Sequence, residues 1–425
     1  MSVASVNAVD SNRHDLRILL ILSALMAFTS ISTDLYLPAM PAMELALHAN
    51  AGAIDLTISG YLVGFSLGQL VWGPIGDKYG RRRPVAVGLI LFIVGSAGCA
   101  VSTTAESMIA WRILQATGAC ASVVLARAMV RDLYTGHRAA QMMSTLMTVM
   151  AVAPLVGPGV GGLILRVASW RAIFFVLVGV GAITVTALRF LPETLPASRR
   201  HREPLWQALG LYGELLTHRK LLGYAGTSGF FYGGVYAYIA GTPFAYISYY
   251  HVVPQFYGVL FGAGIVGIMI ANQVNARLVR RFGGDRLMRI GVWGASGAGL
   301  WLVMDVWTGW GHLAGLALPL FMFMSAAGFI VANAIAGALD AVPHRAGAVS
   351  AMVGAMQYGT GILGSALVGM FSDGTPMPMG AVIALAGVAS LICAYGLVPA
   401  AADSTDSAEQ ATGSGRATSR VREPR

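Results

Sequence analysis

Charge is scarce in this chain. Asp, Glu, Lys and Arg make up 11% of its 425 residues, against roughly 25% in a soluble domain. A soluble fold of this length could not cover its surface with so few charges. Cysteine is scarcer still. Cys99, Cys120 and Cys393 lie in apolar runs, far from one another. That excludes a disulfide framework and a Cys-x-x-Cys metal site. No phosphate-binding P-loop is present, so ATP is not the expected energy source. No His-x-x-x-His, Gly-x-Ser-x-Gly or His-Glu-x-x-His pattern lies at the edge of an apolar run, and the eight His are scattered. An enzyme is therefore not expected, nor a bound metal or cofactor. The net charge of +9 comes without any zinc-finger, helix-turn-helix or RNA-recognition pattern, so no nucleic-acid partner is expected.

What the chain has instead is apolar length. Residues of the AVILMFWYC set make up 56%, and 53 are Gly, a residue more frequent in membrane helices than in soluble ones. A span needs about 20 predominantly apolar residues. Twelve such segments can be drawn: 16–38, 52–75, 84–103, 106–130, 141–165, 170–191, 221–249, 255–279, 287–306, 313–339, 347–371 and 378–399. The first ends in charged and Pro residues with no small-residue cleavage pattern, so it reads as a true span. The expected fold is an all-α polytopic membrane protein.

Loop charges orient it. Lys78, Arg81, Arg82 and Arg83 follow the second span, and Arg277, Arg280, Arg281 and Arg286 follow the eighth. Arg199, Arg200, Arg202, Arg219 and Lys220 sit in the long central connection. These all fall on one side, with both termini. Of the loop cations, only Arg166 and Arg171 fall on the other. Cytoplasmic loops carry the excess of Lys and Arg, so both termini are expected in the cytoplasm of a bacterial inner membrane.

The central polar stretch divides the spans six and six. The expected organisation is a cytoplasmic N-terminus (1–15), a first six-helix half (16–191), a cytoplasmic linker (192–220), a second half (221–400) and a disordered cytoplasmic tail (401–425). The halves repeat weakly. Lys78-Tyr79-Gly80 after span two matches Arg281-Phe282-Gly283 after span eight, and His137-Arg138-Ala139 matches His344-Arg345-Ala346. A duplicated six-helix unit follows, its halves related by an axis along the membrane normal.

Three motifs carry a resemblance. The loop Gly73-Pro74-Ile75-Gly76-Asp77-Lys78-Tyr79-Gly80-Arg81-Arg82-Arg83 resembles the signature loop of the major facilitator superfamily. Pro154-Leu155-Val156-Gly157-Pro158-Gly159-Val160-Gly161-Gly162 is similar to the Gly-Pro motif that marks antiporters there. Arg112-Ile113-Leu114-Gln115-Ala116-Thr117-Gly118 matches its R-x-x-Q-x-x-G pattern. Asp34-Leu35-Tyr36-Leu37-Pro38-Ala39-Met40-Pro41 and Pro192-Glu193-Thr194 resemble the bicyclomycin-resistance/CflA branch of drug:proton antiporters. The resemblance implies a twelve-helix transporter of two pseudo-symmetric halves, powered by the proton gradient. It implies gating by Gly73, Asp77, Gly80, Arg81, Arg82, Pro154, Gly157, Pro158, Gly161 and Gly162. Asp77 would sit at the positive end of span eleven and hold the inner face closed.

An ionisable residue inside a span is expensive, so Asp34 is a functional candidate by default. Arg112 is its expected partner. At 1.5 Å per residue, both lie roughly 10 Å from the outer ends of spans one and four. The two are expected to interact, directly or through water, and to carry proton coupling. Some multidrug relatives hold a second acid two turns earlier, where this chain has Met26. No further buried acid is expected. Tyr36, Tyr61, Gln115, Tyr232, Tyr236, Asn333 and Gln357 are the expected substrate-cavity residues; Gln273 and Asn275 are weaker candidates. The implied activity is proton-coupled export of small, largely apolar drugs or toxic metabolites by alternating access. A proton symporter importing a small sugar or organic acid is the alternative. Small molecules, protons and the lipid bilayer are the expected partners, and a monomer the expected state.

Overall fold

The computed structural model describes residues 3–134, 136–200, 213–343 and 346–398. The expected tail at 401–425 and part of the linker lie outside them, as do the side chains of His137 and His344. The described residues form α-helices joined by short turns, with no strand among them.

The first half holds α1 (Val3–Asp34), the short α2 (Met40–Ala46), α3 (Ala51–Tyr79), α4 (Arg82–Val101), α5 (Ala105–Leu133), α6 (Gly136–Val167) and α7 (Trp170–Ala187). The second holds α8 (Arg219–Pro243), α9 (Pro254–Phe282), α10 (Gly284–Thr308), α11 (His312–Ala341), α12 (Ala346–Met370) and α13 (Met377–Gly396). Every expected span coincides with a helix. Eleven are long and apolar enough to cross a membrane. The other, α8, has 25 residues but carries Gly, Thr, Ser and Tyr along its length. It stops at Pro243, and a π-helical turn, Phe244–Tyr249, completes the expected seventh segment.

Two boundaries differ in an instructive way. The first helix begins at Val3, well before the expected span, and it breaks inside that span, at Asp34. Pro38 causes the break. It has no N–H to give the carbonyl of Asp34, and its ring crowds that oxygen. The chain passes through a 3₁₀ turn, Leu37–Ala39, before α2 resumes the apolar stretch.

The duplication is visible in the backbone. Gly80 (φ 88°) and Gly283 (φ 77°) end α3 and α9 in the same left-handed region. Only Gly reaches it without strain, which explains the matching glycines of the two loops.

The halves meet along two helix pairs, α3 with α12 and α6 with α9. Both seams are closed at one end, and the α3–α12 seam at that end only. Away from the arginine-rich loops, Gly52 packs on the backbone of Gly369. Ser59 Oγ and Ser365 Oγ share a hydrogen bond of 2.9 Å, and Gly162 lies against Pro254. Toward the arginine-rich end the seam loosens. A Cβ on Gly354 would find only Gln69, at 3.9 Å, and one on Gly73 would find nothing within 4 Å.

Candidate functional site

The centre of the first half is built around Arg112 of α5, which is fully buried. Its Nη1 donates to the carbonyl of Ser32 at 2.8 Å and to Gln115 Oε1 at 2.7 Å. Gln115 in turn donates to Ser96 Oγ at 2.8 Å. The guanidinium lies between two rings, its carbon 4.2 Å from the centroid of Tyr36 and 4.4 Å from that of Tyr61. Each phenol is held: Tyr61 by Ser32 Oγ at 2.6 Å, Tyr36 by Thr57 Oγ1 at 3.1 Å. Cation–π contact is strongest when desolvated, as here. Tyr36, Tyr61 and Gln115 were expected along a substrate cavity; each touches Arg112 and is buried behind it. Two donors remain unused, for Nε and Nη2 of Arg112 have no hydrogen-bond partner.

Asp34 is 5% exposed. Among the described residues its carboxylate makes no hydrogen bond and no ion pair, so there is no direct bond to Arg112. The helix explains this. Arg112 approaches on the Ser32 face, and residues two apart on a helix point about 200° from each other. Asp34 faces α6 instead. A Cβ on Gly157 would stand 2.9 Å from that of Asp34. Arg112 still acts on the carboxylate electrostatically.

The Gly-Pro motif of α6 works on two faces. Gly157 and Gly161, one turn apart, receive the broken end of α1, with the carbonyl of Leu35 pressed on Gly161. Pro158, Gly159 and Gly162 face α9 of the other half, where Gly258 packs on the Pro158–Gly159 backbone. Pro154 and Pro158 both lie inside the helix. One short stretch thus touches both the turn that carries Asp34 and the seam between the halves.

At the arginine-rich end, Arg81 pairs with Asp77 at 2.7 Å and Asp132 at 2.9 Å. Burial pulls the guanidinium pKa down, but these two carboxylates outweigh it and hold it above its usual value. Glu193 accepts from the backbone N–H groups of Arg81 (2.7 Å) and Arg82 (3.2 Å), capping α4, as an acid at a helix N-terminus should. Gly80 leaves room for this carboxylate, since a Cβ there would stand 2.7 Å from Glu193 Oε2. Asp77 was expected at the start of span eleven. Its only ion pair among the described residues is with Arg81, and it is 47% exposed. The turn that opens that span, residues 344–345, lies outside the described residues.

A row of aromatics crosses between the halves. Tyr61 stacks near Phe65 at 6.4 Å between centroids, Phe65 meets Tyr358 at 5.1 Å, and Tyr358 meets Tyr236 at 6.4 Å. Tyr232 follows Tyr236 at 6.3 Å. Gln357 adjoins the row and donates to Ser228 Oγ at 2.6 Å. Asn333 is not brought there. It donates to Asn275 Oδ1 at 2.7 Å and to the Phe329 carbonyl at 2.8 Å, inside the second half.

Several residues were missed. Asp55 and Asp305 are 2% and 4% exposed, which corrects the expectation of no further buried acid. Both lie near helix ends, where sequence alone reads an acid as wet. Asp305 accepts from the Gly311 N–H at 2.8 Å, beside the start of α11. Phe65 and Tyr358 were missed because an aromatic in a span usually packs against lipid or core.

Residues 20–365 match the Major Facilitator Superfamily. The chain belongs to this family. The superfamily member is 36% identical over 91% of its length to an uncharacterized MFS-type transporter of Bacillus subtilis, covering 96% of that protein. It is 30% identical to a bicyclomycin resistance protein homolog of Haemophilus influenzae, over 85% of this chain and 91% of the other. Multidrug resistance protein D of Escherichia coli is 28% identical over 90% of this chain and 95% of the other. Among solved structures, a D-xylose-proton symporter superposes with a TM-score of 0.73 at 14% identity, over 91% of this chain and 98% of that one; that likeness concerns the fold alone. The protein is a polytopic membrane transporter, similar to the drug:proton antiporter branch.

Proposed function

We propose that this transporter exports small, largely apolar compounds from the bacterial cytoplasm in exchange for protons, by rocking of its two halves across the inner membrane. The observation that carries the reading is Asp34, an unpaired carboxylate at the break of α1, pressed into the Gly157–Gly161 notch of α6. A proton gained or lost there changes the charge at the one turn that also leans on the inter-half seam. Arg112 supplies the opposing field without quenching it in an ion pair. Relatives named for drug resistance support the export direction.

By the positive-inside rule the arginine-rich end faces the cytoplasm. The described conformation is then open inward, ready to load a compound against the Tyr358–Tyr236–Tyr232 row. An apolar aromatic lining with a few polar groups suits amphipathic molecules. Energy comes from the proton gradient alone.

The test is drug-driven proton movement in everted vesicles. Asp34→Asn should insert normally yet move no protons when drug is added. Undiminished movement sinks the reading. Counterflow with the pH gradient imposed in either direction separates export from symport.

A further inference from the structure

The closed end of the seam contains a void of about 100 Å3. It lies where the halves meet, between α2 and the start of α3 on one side and the π-helical turn, the end of α12 and the 372–378 loop on the other. A space of this size holds several waters. Asp55 lines it, 2% exposed, and its Oδ1 has no hydrogen-bond partner.

The surrounding groups bring no cation to offset a negative charge. From α2 comes Glu44, a second acid. From the π-helical turn come the hydroxyls of Ser248 and Tyr249, and from the loop those of Ser372 and Thr375. Asp373, in that loop, turns its Oδ1 onto the N–H and hydroxyl of Thr375 at 2.9 and 2.7 Å. Tyr36, behind, gives its hydroxyl to the Thr57 pair. The ends of α12 and α13 bring Val368 and Met379. No Lys, Arg or His lines the void, and the nearby His48 and His251 are exposed. Sealing an ionised carboxylate among such groups is unfavourable, whereas a neutral carboxyl carries a far smaller penalty. Parting the halves would return Asp55 to water and remove the penalty.

We propose that this void is a proton-binding site built into the seam: Asp55 takes a proton from the far side as the halves close over it and releases it to water when they part. It is separate from Asp34, which lies at the helix break beside α6. The inference rests on the reading of two rocking halves but not on Asp34 as the coupling group. In an exporter it gives the outside proton a direct hold on the outer closure.

The experiment measures the outer opening itself. Spin labels go on Leu45 of α2 and Val253 before α9, both exposed, in a cysteine-free background of the full chain in lipid nanodiscs. Pulsed dipolar distances are recorded without drug between about pH 5.5 and pH 8.5. In the parent the ratio of open to closed outer ends should rise at least about tenfold over that range, as a titrating latch requires. Asp55→Asn should stay closed throughout, and Asp55→Glu should restore the pH response. Asp34→Asn should keep it. A parent without pH response, or an Asp55→Asn protein that titrates like the parent, overturns the proposal. So does closure that follows sodium at fixed pH when choline replaces it. Because no drug or transport is involved, a failure of the export reading leaves these outcomes unchanged.

Discussion

Arg112 donates to the carbonyl of Ser32 at 2.8 Å and leaves the carboxylate of Asp34, two residues later, without an ion pair. A cation locked onto Asp34 would hold the carboxylate ionised and resist its protonation. A cation fixed on the backbone beside it keeps its place in either state. The two Tyr rings and Gln115 do the fixing.

Arg112→Lys tests that arrangement. Lys keeps the charge but not the planar fork that fits between two rings while donating to two oxygens. Losing one charge-assisted bond costs about 1.5–3 kcal/mol, so export should slow at least about tenfold. Drug efflux from loaded cells, normalised to protein in the membrane, gives the rate. Efflux at the parent rate shows that charge alone suffices.

The notch of α6 makes a sharper pair. In Gly161→Ala a methyl would meet the Leu35 carbonyl, whereas in Gly159→Ala it would meet nothing within 4 Å. Forcing backbone apart in a packed site costs about 1–3 kcal/mol. Gly161→Ala should lose drug-driven proton movement and thermal stability, and Gly159→Ala neither. Equal behaviour of the two, in everted vesicles and in a melting curve, removes the notch from the mechanism.

Glu193→Gln addresses the arginine-rich loop. The carboxylate uses one oxygen for the Arg81 N–H and the other for the Arg82 N–H; the amide has a single acceptor oxygen, so it keeps one of these bonds, and it carries no charge to oppose the helix dipole. Glu193 is exposed, so the loss of one capping bond and of the charge should stay modest, about 0.5–2 kcal/mol. A melting point lower by about 0.5–2 °C is expected. Ligand-free melting in detergent at low and high salt reads it, and the difference should shrink with salt.

Tyr358→Ala interrupts the aromatic row between Phe65 and Tyr236. Each aromatic pair contributes about 0.5–1.5 kcal/mol beyond area burial. An exported aromatic compound should bind about 2–10-fold more weakly for each ring pairing that the substitution removes. Quenching of intrinsic fluorescence by a known exported compound measures it. Unchanged affinity takes the row out of the substrate path.

Much of the fold was readable from the chain. The twelve apolar runs, the six-and-six division and the paired Gly80 and Gly283 all depend on local composition or on one backbone requirement. Burial of charge was readable where the charge stood inside a span, as Asp34 and Arg112 do. It was not readable where burial comes from the other half. Asp55 lies one turn from the start of α3, where an acid ordinarily meets water. It is covered by the Phe244–Tyr249 turn and the 372–378 loop, about 190 and 320 positions further along. No local window contains that information. The break at Asp34 is different. Pro38 four residues later is its sufficient cause, yet a hydropathy reading passes over it, since Pro-Ala-Met-Pro is apolar enough to extend a span.

The two-faced stretch of α6 also bears on how this transporter can change by substitution. At positions 157, 161 and 162 any side chain collides with neighbouring backbone or with Asp34 itself. On the export reading, a change of substrate range would fall on the Tyr232, Tyr236 and Tyr358 surfaces, because that edge of α6 admits almost no side chain. An inhibitor wedged between α6 and the elbow of α1 would therefore meet a stretch with little room to mutate away from it.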